Sequence, residues 1–396
     1  MKAYLVAGEP SGDRLGAALM AGLKALVPEI EFVGVGGPGM EAEGLASLFP
    51  MEELSVMGLM EVLPKYRHLL RRKDQVVADV LRHRPDVLIT IDAPDFCLRV
   101  AAGVKEVRPE LRTVHYVAPS VWAWRPGRAR RMARMIDHVL AILPFEPPYM
   151  EAAGMSCDFV GHPVVAEPQA TPEEALRFRL AHGIAPEEPL LLVLPGSRRG
   201  EVERLAPVFG ETIAALPDRP RVVLPTVRGV ADLVAEVTAR WPVRPLIVPP
   251  DAPEMKRAAF GAADAALAAS GTVSLELAAA DVPMVIAYRF NALTWMMIRR
   301  LVKIDTATLV NLVSDTRAVP EFIGENCRPE KIAPALAELL SGGPLRAVEA
   351  EAMATTMERL GRGGEPPGLR AARSVLRVTP ALLAGAKLAG AKLTGA

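Results

Sequence analysis

Short apolar runs alternate with longer amphipathic stretches along this chain, and the series halts near residue 165 and then starts again. Runs of this kind, bounded by turn residues and separated by helical patterns, are the mark of parallel strands buried on both faces by βαβ crossovers. In the first half the expected strands are Lys2–Ala7, Glu31–Val35, Val87–Ile91, Thr113–Val117 and Val139–Leu143, with helical patterns between them such as Asp13–Leu26 and His68–Arg82. In the second half they are Leu190–Leu194, Arg221–Leu224, Leu246–Val248, Ala265–Ala268 and Met284–Ala287. The two series are separated by the Pro- and Ala-rich stretch Val164–Pro172, where Thr171-Pro172-Glu173-Glu174 carries a helix-start signal, proline in the first turn with acids behind it. The expected fold class is therefore α/β, with two doubly wound, Rossmann-like domains facing a central cleft. The expected domains are 1–168 and 169–345, followed by a helical segment and flexible tail over 346–396. That tail contains Gly-Ala-Lys-Leu twice, and nothing in the chain repeats at the period of a solenoid.

Composition removes several classes of function. With 46 basic and 46 acidic side chains the formal net charge is zero, which argues against a protein that coats nucleic acid. The 51% hydrophobic content is enough for a core in each half. Cys97, Cys157 and Cys327 are odd in number and widely spaced, without CxxC or HExxH, so a zinc ribbon, a zincin and a disulfide scaffold are all disfavoured. The apolar run before Glu9 is too short for a signal-peptide core, and no stretch reaches the ~18 uncharged apolar residues of a spanning helix. A cytoplasmic protein is expected, with a peripheral membrane role open.

Several loops sit where ligands gather in such sheets, just past the carboxyl ends of strands. Gly8-Glu9-Pro10-Ser11-Gly12-Asp13 follows the first strand and opens a helix, a setting that suits an anionic or hydroxyl-rich ligand. It is neither GxGxxG nor a Walker loop, and a tight turn capped by Asp13 is the plainer alternative. Gly36-Gly37-Pro38-Gly39-Met40 is a second glycine loop. Asp92-Ala93-Pro94-Asp95-Phe96 ends the run Val87–Ile91, where a carboxylate can take a proton from a substrate hydroxyl or simply cap the next turn. Pro119–Arg125 combines Trp122 and Trp124 with Arg125, and Arg125–Arg134 carries five arginines, suited to a phosphorylated ligand or an anionic bilayer, or to a solvated helix face. His115 and His162 read either as residues that orient a catalytic group from behind or as satisfied structural residues, the latter favoured for His115.

In the second half, Leu194–Glu201 and Ala269–Thr272 are both strand-to-helix loops. Gly196, Ser197 and Arg198 can approach a diphosphate, and Glu276 is placed to accept the hydroxyls of a ribose. Two such loops point to a nucleotide-diphosphate donor. The Met-rich apolar stretch around Val56, Met57, Leu59, Met60 and Leu63 serves either a core or an acyl-chain or membrane contact.

Taken together these motifs resemble the lipid-A-disaccharide synthase family of GT-B glycosyltransferases. The matching pieces, in family order, are GEPSGD (Gly8–Asp13), VGVGGPGM (Val33–Met40), MEELSVMGLMEVL (Met51–Leu63), IDAPDF (Ile91–Phe96) and HYVAPSVWAWR (His115–Arg125). They continue with LPFE (Leu143–Glu146), FVGHP (Phe159–Pro163), LPGSR (Leu194–Arg198), ASGT (Ala269–Thr272) and Val310-Asn311-Leu312. SVWAWR beside IDAPDF is the most specific part. The resemblance implies inverting transfer of 2,3-diacylglucosamine from UDP-2,3-diacylglucosamine to 2,3-diacylglucosamine 1-phosphate (lipid X), in lipid A biosynthesis. It implies Asp92 as the essential carboxylate, and Arg198, Glu276 and Asn311 in a donor site completed by Gly196, Ser197, Ser270, Gly271 and Thr272. Ser11, Gly12, Trp124 and Arg125 are the expected acceptor and phosphate contacts. Neither a metal nor a cofactor is expected, and the sequence lacks the DxD that metal-dependent transferases commonly use. The family works peripherally at the cytoplasmic face of the inner membrane. It also brings an expectation of C-terminal helices that cross back onto the first domain and of a homodimer formed by exchange of that segment. A UDP-N-acetylglucosamine 2-epimerase is the rival enzyme, and a sugar-nucleotide or lipid-phosphate binding module the rival without catalysis.

Overall fold

The computed structural model of the chain describes residues 1–54, 59–123, 127–290 and 305–380, with 59–65 described through their helical backbone. Two compact units are present, one of Met1–Ala166 with Gly363–Ala396 and one of Glu167–Arg362.

The first unit holds a seven-stranded sheet, every pairing of which is parallel. Its strands are β1 (Lys2–Ala7), β2 (Glu31–Val35), β3 (Ala46–Ser47), β4 (Val87–Ile91), β5 (Arg112–Tyr116), β6 (His138–Ala141) and β7 (Ser156–Phe159), in spatial order β3-β2-β1-β4-β5-β6-β7. All of β4 and all but the first residue of β1 are buried, which explains their unbroken apolar sequence. Helix Pro10–Leu26 covers one face through Leu15, Leu19, Met20 and Leu23. Helix Pro94–Val107 covers the other through Cys97, Val100, Ala101 and Val104.

The last strand expected in this half, Val139–Leu143, ends two residues earlier. Leu143 is instead drawn into a turn, where its N–H donates to the Glu146 carboxylate (3.0 Å) and its carbonyl accepts from the Glu146 N–H (3.2 Å). The strands β3 and β7 were not expected. Both are short and lie at the sheet edges, where burial on one side only leaves no apolar run to read.

The second unit holds a six-stranded parallel sheet of β8 (Leu190–Leu194), β9 (Arg221–Pro225), β10 (Leu246–Val248), β11 (Ala265–Ala269), β12 (Met284–Tyr288) and β13 (Glu321–Ile323), in order β10-β9-β8-β11-β12-β13. Its first helix, Pro172–Ala181, starts with a reciprocal capping box. The Glu174 N–H donates to Thr171 Oγ1 (3.2 Å), and the Thr171 N–H donates to Glu174 Oε2 (2.9 Å).

The segment 346–396, expected as one piece, is divided. Helix Pro344–Arg359 belongs to the second unit, whereas helix Pro367–Val378 returns to the first. There Ala371, Ala372, Val375 and Leu376 join the core under helix Pro10–Leu26. Gly22 and Gly368 set the closeness of the two helices, since a Cβ on Gly22 would lie 2.6 Å from the Gly368 carbonyl oxygen. A polar clamp adds to this contact: His138 Nε2 and Ser374 Oγ are 2.8 Å apart, and Asp158 takes bonds from both Ser374 and Arg377. Burial alone would raise the Asp158 pKa, but hydrogen bonds from His138, Ser374 and Arg377 outweigh it and hold the carboxyl well below the usual range. No helix among the described residues is long and apolar enough to cross a membrane.

Candidate functional site

Each sheet reverses its strand order once, and the chemistry-bearing loops lie at the two reversals. In the first unit the chain leaves β1 towards β2 on one side, while β4 pairs with β1 on the other. The loops after β1 and β4 therefore flank the crevice where doubly wound sheets bind ligands. Ser11 Oγ donates to Asp92 Oδ2 across 3.1 Å, which brings these two expected site residues together.

Asp92 and Ala93 both hold positive φ, 51° and 40°, a conformation that non-glycine residues seldom adopt and that clusters at functional sites. The turn is fixed from behind by the Asp92 N–H donating to the Tyr116 carbonyl (3.0 Å). Gly8 is needed opposite it, because a Cβ there would lie 2.9 Å from Ala93 Cβ. Asp95, the other carboxylate of the motif, is fully exposed and sits 3.9 Å from Arg128. Of the two, only Asp92 is partly enclosed and oriented by a neighbour.

Asp13 does not cap its own helix. It is buried and accepts the N–H groups of Gly37 (2.9 Å), Gly39 (2.8 Å) and Met40 (2.9 Å), so it lashes the second glycine loop to the first. Gly12 lies buried in the first turn of the same helix.

Glu146 carried no expected role beyond its place in the LPFE match. It is 2% exposed, and burial pushes its pKa up to about 7. Oε1 accepts from Trp122 Nε1 at 3.4 Å, and Trp122 meets Phe145 edge-on at 5.1 Å. A lone Glu next to Pro in the sequence gives no sign of such burial. His115 and His162 are both buried, which lowers the pKa of each to about 4. Nδ1 of His115 lies against Thr90 Oγ1 (2.8 Å) and Nδ1 of His162 accepts the Val164 N–H (3.2 Å), so each ring is held by its own surroundings and burial favours its neutral form. Val56, Met57, Trp124 and Arg125 lie outside the described residues; Leu59, Met60 and Leu63 fall on helix Leu59–His83.

In the second unit the reversal lies between β8 and β11. Gly196 takes φ 114°, and a Cβ on it would lie 2.7 Å from the Glu201 carboxylate. The N–H groups of Ser197 and Arg198 turn onto Glu201 Oε2 at 3.2 and 3.3 Å, instead of standing free for a phosphate. Glu201 Oε1 also accepts from Arg198 Nη1 (3.2 Å) and from the Tyr288 hydroxyl (3.3 Å). The buried Glu201, which sequence reasoning left without a role, organises the loop, while the Arg198 side chain remains 70% exposed.

Glu276 pairs with Lys256 Nζ at 2.6 Å, and Lys256 also lies over the Phe260 ring. Ser270 Oγ donates to the Ala307 carbonyl (3.0 Å), joining the Ser270–Gly271–Thr272 loop to the segment before Asn311. Asn311 itself is 1% exposed with both ends of its amide used: Nδ2 donates to the Val319 carbonyl (2.9 Å) and Glu321 Oε1 (3.0 Å), and Oδ1 accepts the Val319 N–H (3.0 Å). It holds its loop from within.

The family model described as lipid-A-disaccharide synthetase matches residues 3–365. The lipid-A-disaccharide synthase of Ruegeria pomeroyi is 63% identical over 391 residues, covering 96% of both chains. That of Rhodospirillum centenum is 50% identical, covering 95% of this chain and 94% of its own. Among solved structures, a UDP-GlcNAc 2-epimerase from Neisseria meningitidis superposes with a TM-score of 0.65 at 12% identity, covering 95% of this chain and 99% of that one. A glycosyltransferase from Rickettsia africae superposes with a TM-score of 0.58 at 12% identity, covering 96% and 98%. At such identities the structural likeness shows the two-domain Rossmann-like fold alone. The identities to the synthases decide between the expected enzyme and its epimerase rival: the chain belongs to the lipid-A-disaccharide synthase family and is a glycosyltransferase of lipid A biosynthesis, of the hexosyltransferase class.

Proposed function

We propose that the chain joins UDP-2,3-diacylglucosamine to 2,3-diacylglucosamine 1-phosphate (lipid X), giving the β-1,6-linked disaccharide 1-phosphate and UDP. Asp92 takes the proton of the acceptor 6-hydroxyl as that oxygen attacks the anomeric carbon of the donor from the face opposite UDP. The bond to the diphosphate breaks with its electron pair, so one displacement inverts the centre and no covalent intermediate is needed. Ser11 orients the carboxylate. The observation that carries this reading is the Ser11–Asp92 pair at the strand-order reversal of the first sheet.

Arg198 neutralises the leaving diphosphate, drawing on a guanidinium that is exposed and paired, among the described residues, with Glu201. Glu276, steadied by Lys256, accepts the ribose hydroxyls. Gly196, Ser197, Ser270, Gly271 and Thr272 shape the donor loops, and Asn311 acts from behind them as a positioning residue. Ser11, Gly12, Trp124 and Arg125 complete the acceptor side, with the stretch from Val56 to Leu63 against acyl chains or the bilayer. The protein works peripherally at the cytoplasmic face of the inner membrane. A homodimer by C-terminal exchange would form by passing helix Pro367–Val378 from its own first unit to that of a second copy.

The test is a thin-layer assay of purified protein with UDP-2,3-diacylglucosamine, with and without lipid X, and with UDP-N-acetylglucosamine as control donor. Disaccharide that appears only with both lipids supports the reading. Donor consumption without lipid X, or turnover of the unacylated control, would replace it with hydrolysis or epimerisation.

A further inference from the structure

The first unit carries a cavity where the Asp92–Phe96 motif and the Arg125–Arg134 run come together, Pro94 and Asp95 lining it from one and Arg128 and Arg131 from the other. It has a volume of about 250 Å³ and lies between helix Pro94–Val107 and helix Gly127–Met132. Asp95, Leu98, Arg99 and Ala102 face it from the first helix, at the three- and four-residue spacing of a single helix face, while Cys97, Val100, Ala101 and Val104 face the sheet. Arg128, Arg131 and Met132 face it from the other side, with Met135 beyond. The floor is apolar and the rim cationic. Arg99 is steadied from a third helix, since its Nη1 donates to the Tyr66 hydroxyl (3.3 Å).

The charges select among anions. Three guanidiniums against the one carboxylate of Asp95, 3.9 Å from Arg128, leave a formal charge of +2. A phosphate monoester carries about −1.5 to −2 at neutral pH and presents three acceptor oxygens, which matches both the charge and the donors. The phosphodiester of an ordinary bilayer lipid carries half that charge. Pro94 also lines the cavity and follows Asp92 by two residues, which sets the rim next to the loop that carries the proposed base.

We infer that this cavity holds the phosphate monoester of the acceptor glycolipid, gripped by Arg99, Arg128 and Arg131, with the apolar floor taking the start of an acyl chain. The inference rests on the reading of Asp92 as the base that acts on the same acceptor.

Titration of the full chain in detergent micelles with lipid X, and in parallel with 2,3-diacylglucosamine lacking the phosphate, tests it without requiring turnover. Arg99→Gln, Arg128→Gln and Arg131→Gln should each weaken lipid X binding roughly tenfold, as expected for a lost charge-assisted contact. The same substitutions should leave binding of the phosphate-free lipid unchanged, and Arg→Lys should restore part of the loss. Equal weakening of both lipids would overturn the assignment and make the arginines packing residues. So would unchanged lipid X affinity in a triple variant that has lost binding to vesicles of anionic phospholipid, which would give the cavity to bilayer headgroups. A parent protein that binds lipid X through these arginines but forms no disaccharide would sink the transfer reading and leave the site standing. Disaccharide formation with an unchanged lipid X KM in every variant would do the reverse.

Discussion

Ser11 Oγ and Asp92 Oδ2 lie 3.1 Å apart and tie the loop after β1 to the loop after β4 where the first sheet reverses its strand order. Asp92→Asn keeps an acceptor for Ser11 and keeps the shape of the turn, but removes the basicity. Turnover should fall by the ~10²–10⁴ typical of a lost general base, with the thermal midpoint unchanged. Ser11→Ala should cost less, because the carboxylate remains and only its orientation loosens. Near-parental turnover of the Asn variant, measured as disaccharide formed, would remove Asp92 from the chemistry.

Arg198 and Glu201 separate binding from stability in the second unit. The Arg198 side chain is 70% exposed, so Arg198→Ala should leave the melting temperature alone while weakening UDP binding about tenfold. Glu201 accepts from Ser197, Arg198 and Tyr288. Glu201→Ala leaves those donors without a partner and should reduce stability by about 1–3 kcal/mol, with weaker UDP binding as a consequence of the disordered loop. UDP titration and thermal melting of both variants check the contrast; equal loss of stability in both would show that Arg198 is structural too.

The parts of the fold most legible in sequence are those where burial is two-sided. Lys2–Ala7, Val87–Ile91 and Leu190–Leu194 ended where the apolar runs end, while the partly buried edge strand Leu246–Val248 was legible because all three of its residues are apolar. The edge strands Ala46–Ser47, Ser156–Phe159 and Glu321–Ile323 left no such run. In the first unit the motif order pointed at Asp92, but nothing local said that Asp13 would reach three amides of a loop 24 to 27 residues away. The same gap separates reading Gly196-Ser197-Arg198 as a phosphate loop from seeing its amides held by Glu201. Side-chain-to-backbone bonds across a fold have no periodicity, and only the folded geometry reveals which acid takes them.

Gly22 and Gly368 give the return of helix Pro367–Val378 to the first unit a sharp test. A Cβ on Gly368 would lie 2.4 Å from the Ala18 carbonyl oxygen, and one on Gly22 would lie 2.6 Å from that of Gly368. Backbone atoms on both sides cannot yield without the helices separating. Gly22→Val should therefore destabilise the first unit by about 1–3 kcal/mol or more and open the chain after Gly363 to proteolysis. A variant that melts and resists protease like the parent would show that the two helices do not pack at this distance.

Glu349 predicts how stability depends on pH. Its side chain is fully buried; Oε2 accepts the Met284 N–H at 2.7 Å, and Oε1 has no hydrogen-bond partner among the described residues. Burial pushes its pKa from 4.5 up to about 8, with the Met284 bond opposing in part. The folded chain thus keeps a proton that the unfolded chain gives up. The stabilisation this represents is complete below the ordinary carboxyl pKa and is lost as pH rises towards 8. Between pH 5 and 8 the loss should run at no more than about 1.4 kcal/mol per unit. Glu349→Gln carries no titrating group, so it should gain on the parent steadily across that window in denaturant unfolding at pH 5.5 and pH 8. Glu146 titrates in the same direction up to about 7, whereas the buried His115 and His162, held near 4, make stability rise with pH up to about 6.5; the difference between parent and Glu349→Gln, in which these shared groups cancel, is therefore the quantity to read. A difference between parent and Glu349→Gln that is the same at both pH values would mean that the carboxyl is ionised in the folded chain throughout, paired with a group that its present surroundings do not include.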